Sequence, residues 1–387
     1  MTLKPYKYRM YPNQKQREYF AKVFGCVRFV YNKMLEDSIK YYELEGKMFP
    51  TNPSSYKKDY PFLKEVDSSA LSNAKMNLDR AFSNFFKKKA NYPVFKSKKD
   101  KHCSYSTNML HDNIRIEGNH IRLPKIKLVR IRIHRSFSGT IKKATVSRTP
   151  SGDYYVSLLV ETEIKKLPAT ENEVGIDMGV SNIITDSNGK TVENVRSYDR
   201  LMKKLAMEDR RLKRKTKGGK NREKQRIRLA RVYRKITNIR TDFLHKVSRN
   251  IIDENQVIVC EDLVVTDLMD NKLFNRDFMD SSWSKLTEFI KYKSELYGRT
   301  FIKVGKYFPS SQICSSCGYR NEDIRGINVK VWACPHCGVK HQRDVNAAKN
   351  ILCEGKRLLR KIDESEDGII PELMKPVSGV LFVDIIS

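Results

Sequence analysis

Two Cys-x-x-Cys pairs, Cys314/Cys317 and Cys334/Cys337, stand close together near the C-terminal end, each followed by a glycine, Gly318 and Gly338. Each pair folds into a tight turn that aims two sulfurs at one point, and glycine permits the backbone conformation such a knuckle needs. Four thiolates fit tetrahedral zinc with no open coordination position, so the site is structural and not catalytic. Metal binding can supply on the order of 10–16 kcal/mol to folding such a ribbon. Two disulfides or a redox pair fit less well. The opening residues hold no hydrophobic leader, and redox motifs do not usually come as a matched set. With four sulfurs filling the shell, His336 and His341 read as exposed ribbon residues. Cys26, Cys103, Cys260 and Cys353 are scattered and read as ordinary reduced thiols.

The 387 residues suffice for two or more domains. Lys and Arg number 75 against 45 Asp and Glu, a formal net charge of +30. So large a charge repels itself and calls for a polyanionic partner. No apolar run reaches the length of a membrane span. The reading is a cytoplasmic, nucleic-acid-associated protein with no membrane partner. A basic ribosomal-type protein would fit the charge but not the carboxylates described below.

Periodicity divides the first half. Tyr6–Tyr11 alternates as a strand, ended by Pro12-Asn13. From Gln14 to about Glu45 the apolar residues Phe20, Val23, Phe24, Val27, Val30, Tyr31, Met34 and Leu35 recur at helical spacing. A second helical stretch spans Ser68–Lys88. From about Asn113 to Glu163 the pattern turns to strands, with hairpins at Gly118-Asn119 and at Thr149–Asp153. This β-rich block has the character of a barrel, and the strand at Tyr6 is available to join it across the helical insertion.

After a linker near 165–173, Val174–Val180 opens a new domain, followed by strands around Ile183 and beyond Lys190. Two basic helices come next, broken at Gly218-Gly219. On the second, Leu229, Val232, Ile236, Ile239, Phe243, Val247 and Ile251 form one apolar stripe. Arg222, Lys224, Arg226, Arg228, Arg231, Arg234 and Lys235 coat much of the rest. With few acids to compensate, this reads as a phosphate-facing surface; a merely solvated hairpin is the alternative. Val257–Leu263 is a β-branched run ending in acids, a buried central strand with carboxylates at its exit. A helix over Trp283–Tyr297 and a strand over Thr300–Val304 precede the ribbon. Beyond Glu364 the tail is acidic, then apolar.

Three acids recur in an ordered set: Asp177 in Gly-Ile-Asp-Met-Gly, Glu261 in Val-Cys-Glu-Asp-Leu, and Asp344 in Arg-Asp-Val-Asn-Ala-Ala. In a sheet of the ribonuclease H type, a first strand, a later central strand and the start of a final helix converge at one edge. Three carboxylates with no lysine among them repel each other, so the site needs metal ions. Hard oxygen ligands suit Mg²⁺ or Mn²⁺. Two such ions serve phosphodiester hydrolysis, with Asp177 bridging both and Glu261 and Asp344 completing one each. Singly, each acid has a plainer reading; Asp344 also fits a helix cap. Asp262 is the rival second acid, although strand alternation points it away from Glu261.

The chain resembles the TnpB family, the RNA-guided nucleases of insertion sequences related to type V CRISPR effectors. The likeness runs from Tyr6 to about Ile351. It is carried by Tyr8-Arg9-Met10-Tyr11-Pro12, Gly25–Asn32, Ala81–Phe86, Tyr92–Lys98 and Phe308–Cys314, in that order. Gln342 departs from the many relatives that have Asp there. The resemblance implies an α+β multidomain fold: a helical and β-barrel-like N-terminal lobe, then a ribonuclease H-like (RuvC) nuclease domain with an inserted zinc ribbon. Its expected parts are a β-rich wedge-like domain over 1–12 and 102–168, and a helical recognition insertion over 13–101. The RuvC-like domain spans 172–305 and 344–362, with the basic hairpin at 199–252, the ribbon at 306–343 and a tail at 363–387. It implies catalytic Asp177, Glu261 and Asp344, two Mg²⁺ or Mn²⁺ ions, one Zn²⁺ and a transposon-derived guide RNA. Double- and single-stranded target DNA would be partners, the protein being a monomer with its RNA. Lys75 and Asn77, with the aromatic region of Phe82 and Phe86, are candidates for contacting a target-adjacent motif, although core packing is the plainer role of the two rings. Some relatives lack nuclease residues and act as RNA-guided repressors, the alternative function, along with an accessory role in transposition.

Overall fold

The computed structural model describes residues 1–47, 49–50, 52–99, 103–262, 282–324 and 329–363. They form two compact units, Met1–Glu163 and Ile164 onward. The tail beyond Asp363 lies outside the described residues.

In the first unit, strand β1 (Thr2–Tyr11) leads into helix α1 (Gln14–Glu45). Asn13 and Gln16 form a reciprocal capping box that starts the helix, each side chain accepting from the other's backbone N–H at 3.0 Å. A short helix α2 (Tyr56–Asp59), a 3₁₀ turn (Pro61–Glu65) and helix α3 (Ser68–Phe86) follow. Six strands complete the unit: β2 (Cys103–Asn108), β3 (Arg115–Glu117), β4 (His120–Leu123), β5 (Ile126–Arg132), β6 (Thr140–Arg148) and β7 (Tyr154–Thr162). The order β2-β6-β7-β1-β5-β4-β3 puts the N-terminal strand in the middle of the sheet. Since β2 and β3 are its edges, the sheet is an open half-barrel, not a closed barrel. Alternate residues Tyr6, Tyr8 and Met10 turn inward with Leu158, and pack with Phe20, Met34, Leu71 and Leu78 from the helices.

The pattern of β2 was not legible in the sequence. Its Ser106 and Thr107 are buried not by apolar packing but by hydroxyl bonds, to Thr145 at 2.8 Å and to Asp67 at 2.6 Å. Strand β5 escaped notice as well, because only Val129 and Ile131 of its residues are buried.

The second unit is built on β8 (Glu173–Asp177), β9 (Asn182–Asp186), β10 (Thr191–Glu193), β11 (Val257–Glu261) and β12 (Thr300–Val304). Their order is β10-β9-β8-β11-β12; β8, β11 and β12 pair parallel, and β9 pairs antiparallel with both β8 and β10. Helices α4 (Ser197–Lys213) and α5 (Lys220–Glu254) form the basic hairpin, and α6 (Trp283–Tyr297) returns to β12. The ribbon hairpin β13 (Val331–Ala333) and β14 (Lys340–Gln342) runs directly into α7 (Arg343–Asp363).

Both faces of β11 are covered, which explains its unbroken apolar run. Ile258 and Cys260 share a core with Leu244 and Val247 of α5 and with Leu286 and Ile290 of α6. Val257 and Val259 pack on the other side with Ile302, Val304 and Ile351, the last from α7. Helix α7 crosses the sheet at two glycines. A Cβ on Gly175 would fall 2.1 Å from the Ala348 carbonyl oxygen, and one on Gly355 would fall 2.4 Å from a Val259 methyl.

Candidate active site

Strand alternation decides which acids meet. Val257 and Val259 face α7, so Glu261, two residues on, continues that face. Gly175 lies directly under α7, and Asp177 continues its face in the same way. Asp344 stands in the first turn of α7 itself, where the helix dipole favours negative charge. Two adjacent parallel strands and one helix therefore bring together acids that are far apart in the chain.

The electrostatics record this convergence. Burial, then the charge of Glu261, then that of Asp344 push the Asp177 carboxyl up to about 8, against the pull of Arg343 and of the Met178 N–H. Glu261 is also raised, by burial, and a hydrogen bond from the Ser310 hydroxyl opposes the shift. The sequence suggested no cation near the acids, but among the described residues there are two. Besides Arg343, the Lys330 ammonium lies 3.8 Å from Asp344. Both come from the ribbon end of the chain, whose spatial neighbours linear reading does not reveal. Asp262, the rival acid, points to the other face and accepts from Lys303 at 2.7 Å. A small cavity of about 100 Å³, lined by Val174, Ile184 and Val247 among others, contains none of the three acids.

Three carboxylates offer oxygen only, the donor type a hard divalent cation takes, but they are neighbours in charge and not a closed cage: among the described residues only the four cysteines form a group with ligand atoms all within 4.8 Å of one another. The ribbon can be tested by distance. Zinc–sulfur bonds of about 2.3 Å in a tetrahedron require sulfurs about 3.8 Å apart. The Cys314–Cys337 and Cys317–Cys334 sulfurs are each 3.7 Å apart, and all four lie within 4.8 Å of one another. Each knuckle closes with a glycine N–H, Gly318 to Cys314 at 2.9 Å and Gly338 to Cys334 at 2.8 Å, both glycines at positive φ. The cysteines thus fit zinc. His341 corrects the expectation of an exposed ribbon residue. It is buried against Trp332, with Nε2 3.0 Å from the Cys314 sulfur. His336 is exposed and stacks on Tyr319.

Several candidate nucleic-acid contacts prove to be engaged within the protein. Arg222 donates to the carbonyls of Leu212 and Lys215 at 2.7 and 2.8 Å, closing the C-terminal end of α4. Arg226 pairs with Glu223, and Lys75 with Asp79 at 2.6 Å. Asn77 and Arg231 are exposed. Phe82 is core, as its spacing suggested, whereas Phe86 is 62% exposed. Sequence reasoning also missed the polar lock inside the hairpin, where buried Gln225 donates to the Glu208 backbone and side chain. Periodicity marks apolar stripes only.

Three family models match the chain. Residues 156–272 match one described as "Probable transposase", and residues 283–351 match "Cas12f1-like, TNB domain". Residues 1–47 match a model described as a helix-turn-helix domain, although here they form β1 and the uninterrupted α1. A Streptomyces pristinaespiralis protein named "Putative RNA-guided DNA endonuclease" is 38% identical over 90% of this chain and 89% of its own. The chain belongs to the TnpB family. Another relative of this TnpB chain, RNA-guided DNA endonuclease InsQ of Escherichia coli K12 (its name also qualified as putative), is 30% identical over 92% of this chain and 93% of its own. A chain in the cryo-EM structure of a Cas12f1–sgRNA–target DNA complex has the same fold, with a TM-score of 0.57 at 16% identity. The match covers 88% of the TnpB chain and 83% of that one. No described helix is long and apolar enough to cross a membrane.

Proposed function

We propose that this TnpB chain is an RNA-guided DNA endonuclease. In this reading a transposon-derived guide RNA reads the target by base pairing, and the protein reads backbone, shape and a short adjacent motif. The observation that carries it is that Asp177, at the end of β8 beside β11, feels the charges of both Glu261 and Asp344. The names that the two relatives carry, both containing "RNA-guided DNA endonuclease", support the same activity.

The three carboxylates would hold two Mg²⁺ or Mn²⁺ ions. Such ions, when bound, activate a water and stabilise the leaving oxygen of a phosphodiester. The chain's own contribution is placement. Asp177, which feels the charges of both other acids, would hold metal together with Glu261 and Asp344. Arg343 and Lys330 offer positive charge beside the acids, suited to a phosphate oxygen. The cysteines would hold zinc and fix the ribbon that leads into Asp344. The net charge of +30 supports RNA and DNA as partners, with the protein a monomer on its RNA, in the cytoplasm.

The test is to purify the protein with its RNA, sequence that RNA, and supply matched duplex DNA with Mg²⁺. Cutting is expected, and Asp177→Ala should abolish it while leaving DNA binding nearly intact. Binding without cutting by the unaltered protein would instead mark an RNA-guided repressor.

A further inference from the structure

Among the described residues, Glu261 differs from the other two acids in having a hydroxyl donor, that of Ser310, on its Oε1. Ser310 is 7% exposed and sits in a tight turn, its N–H donating to the Phe308 carbonyl at 2.8 Å. Its own carbonyl accepts from the Asn350 side-chain amide at 2.8 Å. That amide also reaches the Ile313 carbonyl at 2.6 Å, which Asn346 bonds too, at 2.7 Å. Asn346 in turn accepts from the Ser315 N–H at 2.9 Å. Both asparagines are buried, and both lie on α7, one turn apart, on the helix that begins with Asp344. The carrier of the third acid therefore grips the segment that orients the second.

We propose that Ser310 is a positioning residue for Glu261, held in place by Asn350, and that it sets the rotation of this carboxylate for divalent metal. This rests on the endonuclease reading above. A carboxylate at a strand end turns freely about its last bond unless one oxygen is fixed. A hydroxyl fixes one oxygen with a charge-assisted bond and leaves the other open to a metal ion. Its single proton goes to Glu261, so the serine itself need not ligate an ion. Apolar side chains cannot do this, and a carbonyl cannot donate. Anchoring the serine through its backbone on a buried amide keeps the hydroxyl in register with α7, and so with Asp344. One network thus aligns two acids that arise on different elements.

The test compares the unaltered protein with Ser310→Ala, Ser310→Thr and Asn350→Ala, each as the full ribonucleoprotein. Mn²⁺ occupancy is counted by paramagnetic resonance with an uncleavable target bound, and Mg²⁺ dependence is read from cleavage. Supporting interactions of this kind are typically worth about 10- to 100-fold in metal affinity or activity. Ser310→Ala should need about tenfold more Mn²⁺ and Mg²⁺ to reach half-saturation, with unchanged zinc content, melting temperature and DNA binding. Ser310→Thr, which keeps the hydroxyl, should restore the affinity, and Asn350→Ala should weaken metal binding even with Ser310 present. Unchanged Mn²⁺ occupancy in Ser310→Ala overturns the proposal. So does a loss that tracks zinc content or melting temperature and that threonine fails to restore. The Mn²⁺ arm needs no cutting. Absent cleavage by the unaltered protein would therefore sink the endonuclease reading without deciding this one.

Discussion

Gly175 of β8 and Ala348 of α7 approach so closely that a Cβ on the glycine would lie 2.1 Å from the alanine's carbonyl oxygen and 2.7 Å from the Leu352 nitrogen. These neighbours are backbone atoms and cannot swing aside. The glycine therefore sets how near α7 comes to the sheet, and with it how near Asp344 comes to Asp177, two residues along the same strand.

Gly175→Ala should accordingly be costly. Overpacking a fitted core costs about 1–3 kcal/mol, and here a helix must move. A lowered melting temperature and lost DNA cleavage are expected together. Gly305→Ala is the control: its Cβ meets nothing within 4 Å and its φ is not positive. It should be neutral, or stabilising by up to about 1 kcal/mol. Equal melting temperatures for the two variants would show that the close approach is not a constraint.

Asp177 should make stability depend on pH. Its carboxyl is raised to about 8, by burial first and then by Glu261 and Asp344. Above about pH 4 the unfolded chain releases this proton while the folded chain keeps it until about pH 8. The folded state binds the extra proton, so stability without added divalent metal falls as pH rises through that window. Denaturant unfolding of zinc-loaded protein at pH 6 and pH 8.5 should show the fall. Asp177→Asn should flatten it, and Mg²⁺ should recover more stability at the higher pH. A pH slope identical in Asp177→Asn would assign it to other groups.

Neighbouring acids at 261 and 262 should behave oppositely. Asp262 pairs with Lys303, both about one-third exposed, and pairs of that kind contribute at most about 1 kcal/mol. Asp262→Asn should retain cutting and most of the stability. Glu261→Gln should lose cutting, since an amide cannot replace an anionic ligand. Single-turnover cleavage with matched guide and target separates the two; lost cutting in Asp262→Asn alone would exchange their roles.

The contrast between these two residues shows what the sequence discloses. Alternation along Val257–Glu261 is enough to assign each side chain to a face, and the helical stripes of α1 and α5 are legible in the same way. Residues held by polar contacts are not. Ser310, Asn346 and Asn350 carry no periodic signal, because their partners are backbone carbonyls and one carboxylate distant in sequence. His341 was obscured by the four cysteines, which account for a metal shell without it. Lys330 and Arg343 escaped because the ribbon's return toward Asp344 is a matter of three-dimensional path.

Zinc should be present at one ion per chain, and Cys334→Ser should lose it together with the fold of the ribbon. His341→Gln is the finer probe. Its ring nitrogen, 3.0 Å from the Cys314 sulfur, can donate to the thiolate and hold it in place. Losing such a contact typically lowers metal affinity by about 10- to 100-fold. Zinc should therefore pass faster to a competing chelator from His341→Gln than from the unaltered protein. Identical transfer rates would leave His341 as packing for Trp332.

The basic hairpin gives two arginines with different expected fates. Arg222 spends its guanidinium on the carbonyls of Leu212 and Lys215, so Arg222→Ala removes two charge-assisted bonds at the end of α4. Destabilisation of about 1.5–3 kcal/mol is expected, following the worth of hydrogen bonds to charged groups. Arg231 is exposed, and a phosphate is its natural partner. Each phosphate neutralised on duplex DNA contributes about 0.9 to the slope of log affinity against log salt. Arg231→Ala should thus reduce that slope by about 1, with melting temperature unchanged, whereas Arg222→Ala should lower the melting temperature. Filter binding of duplex DNA over a salt series, alongside thermal melts, reads both quantities. A slope untouched by Arg231→Ala would mean that this helix face meets solvent and not phosphate.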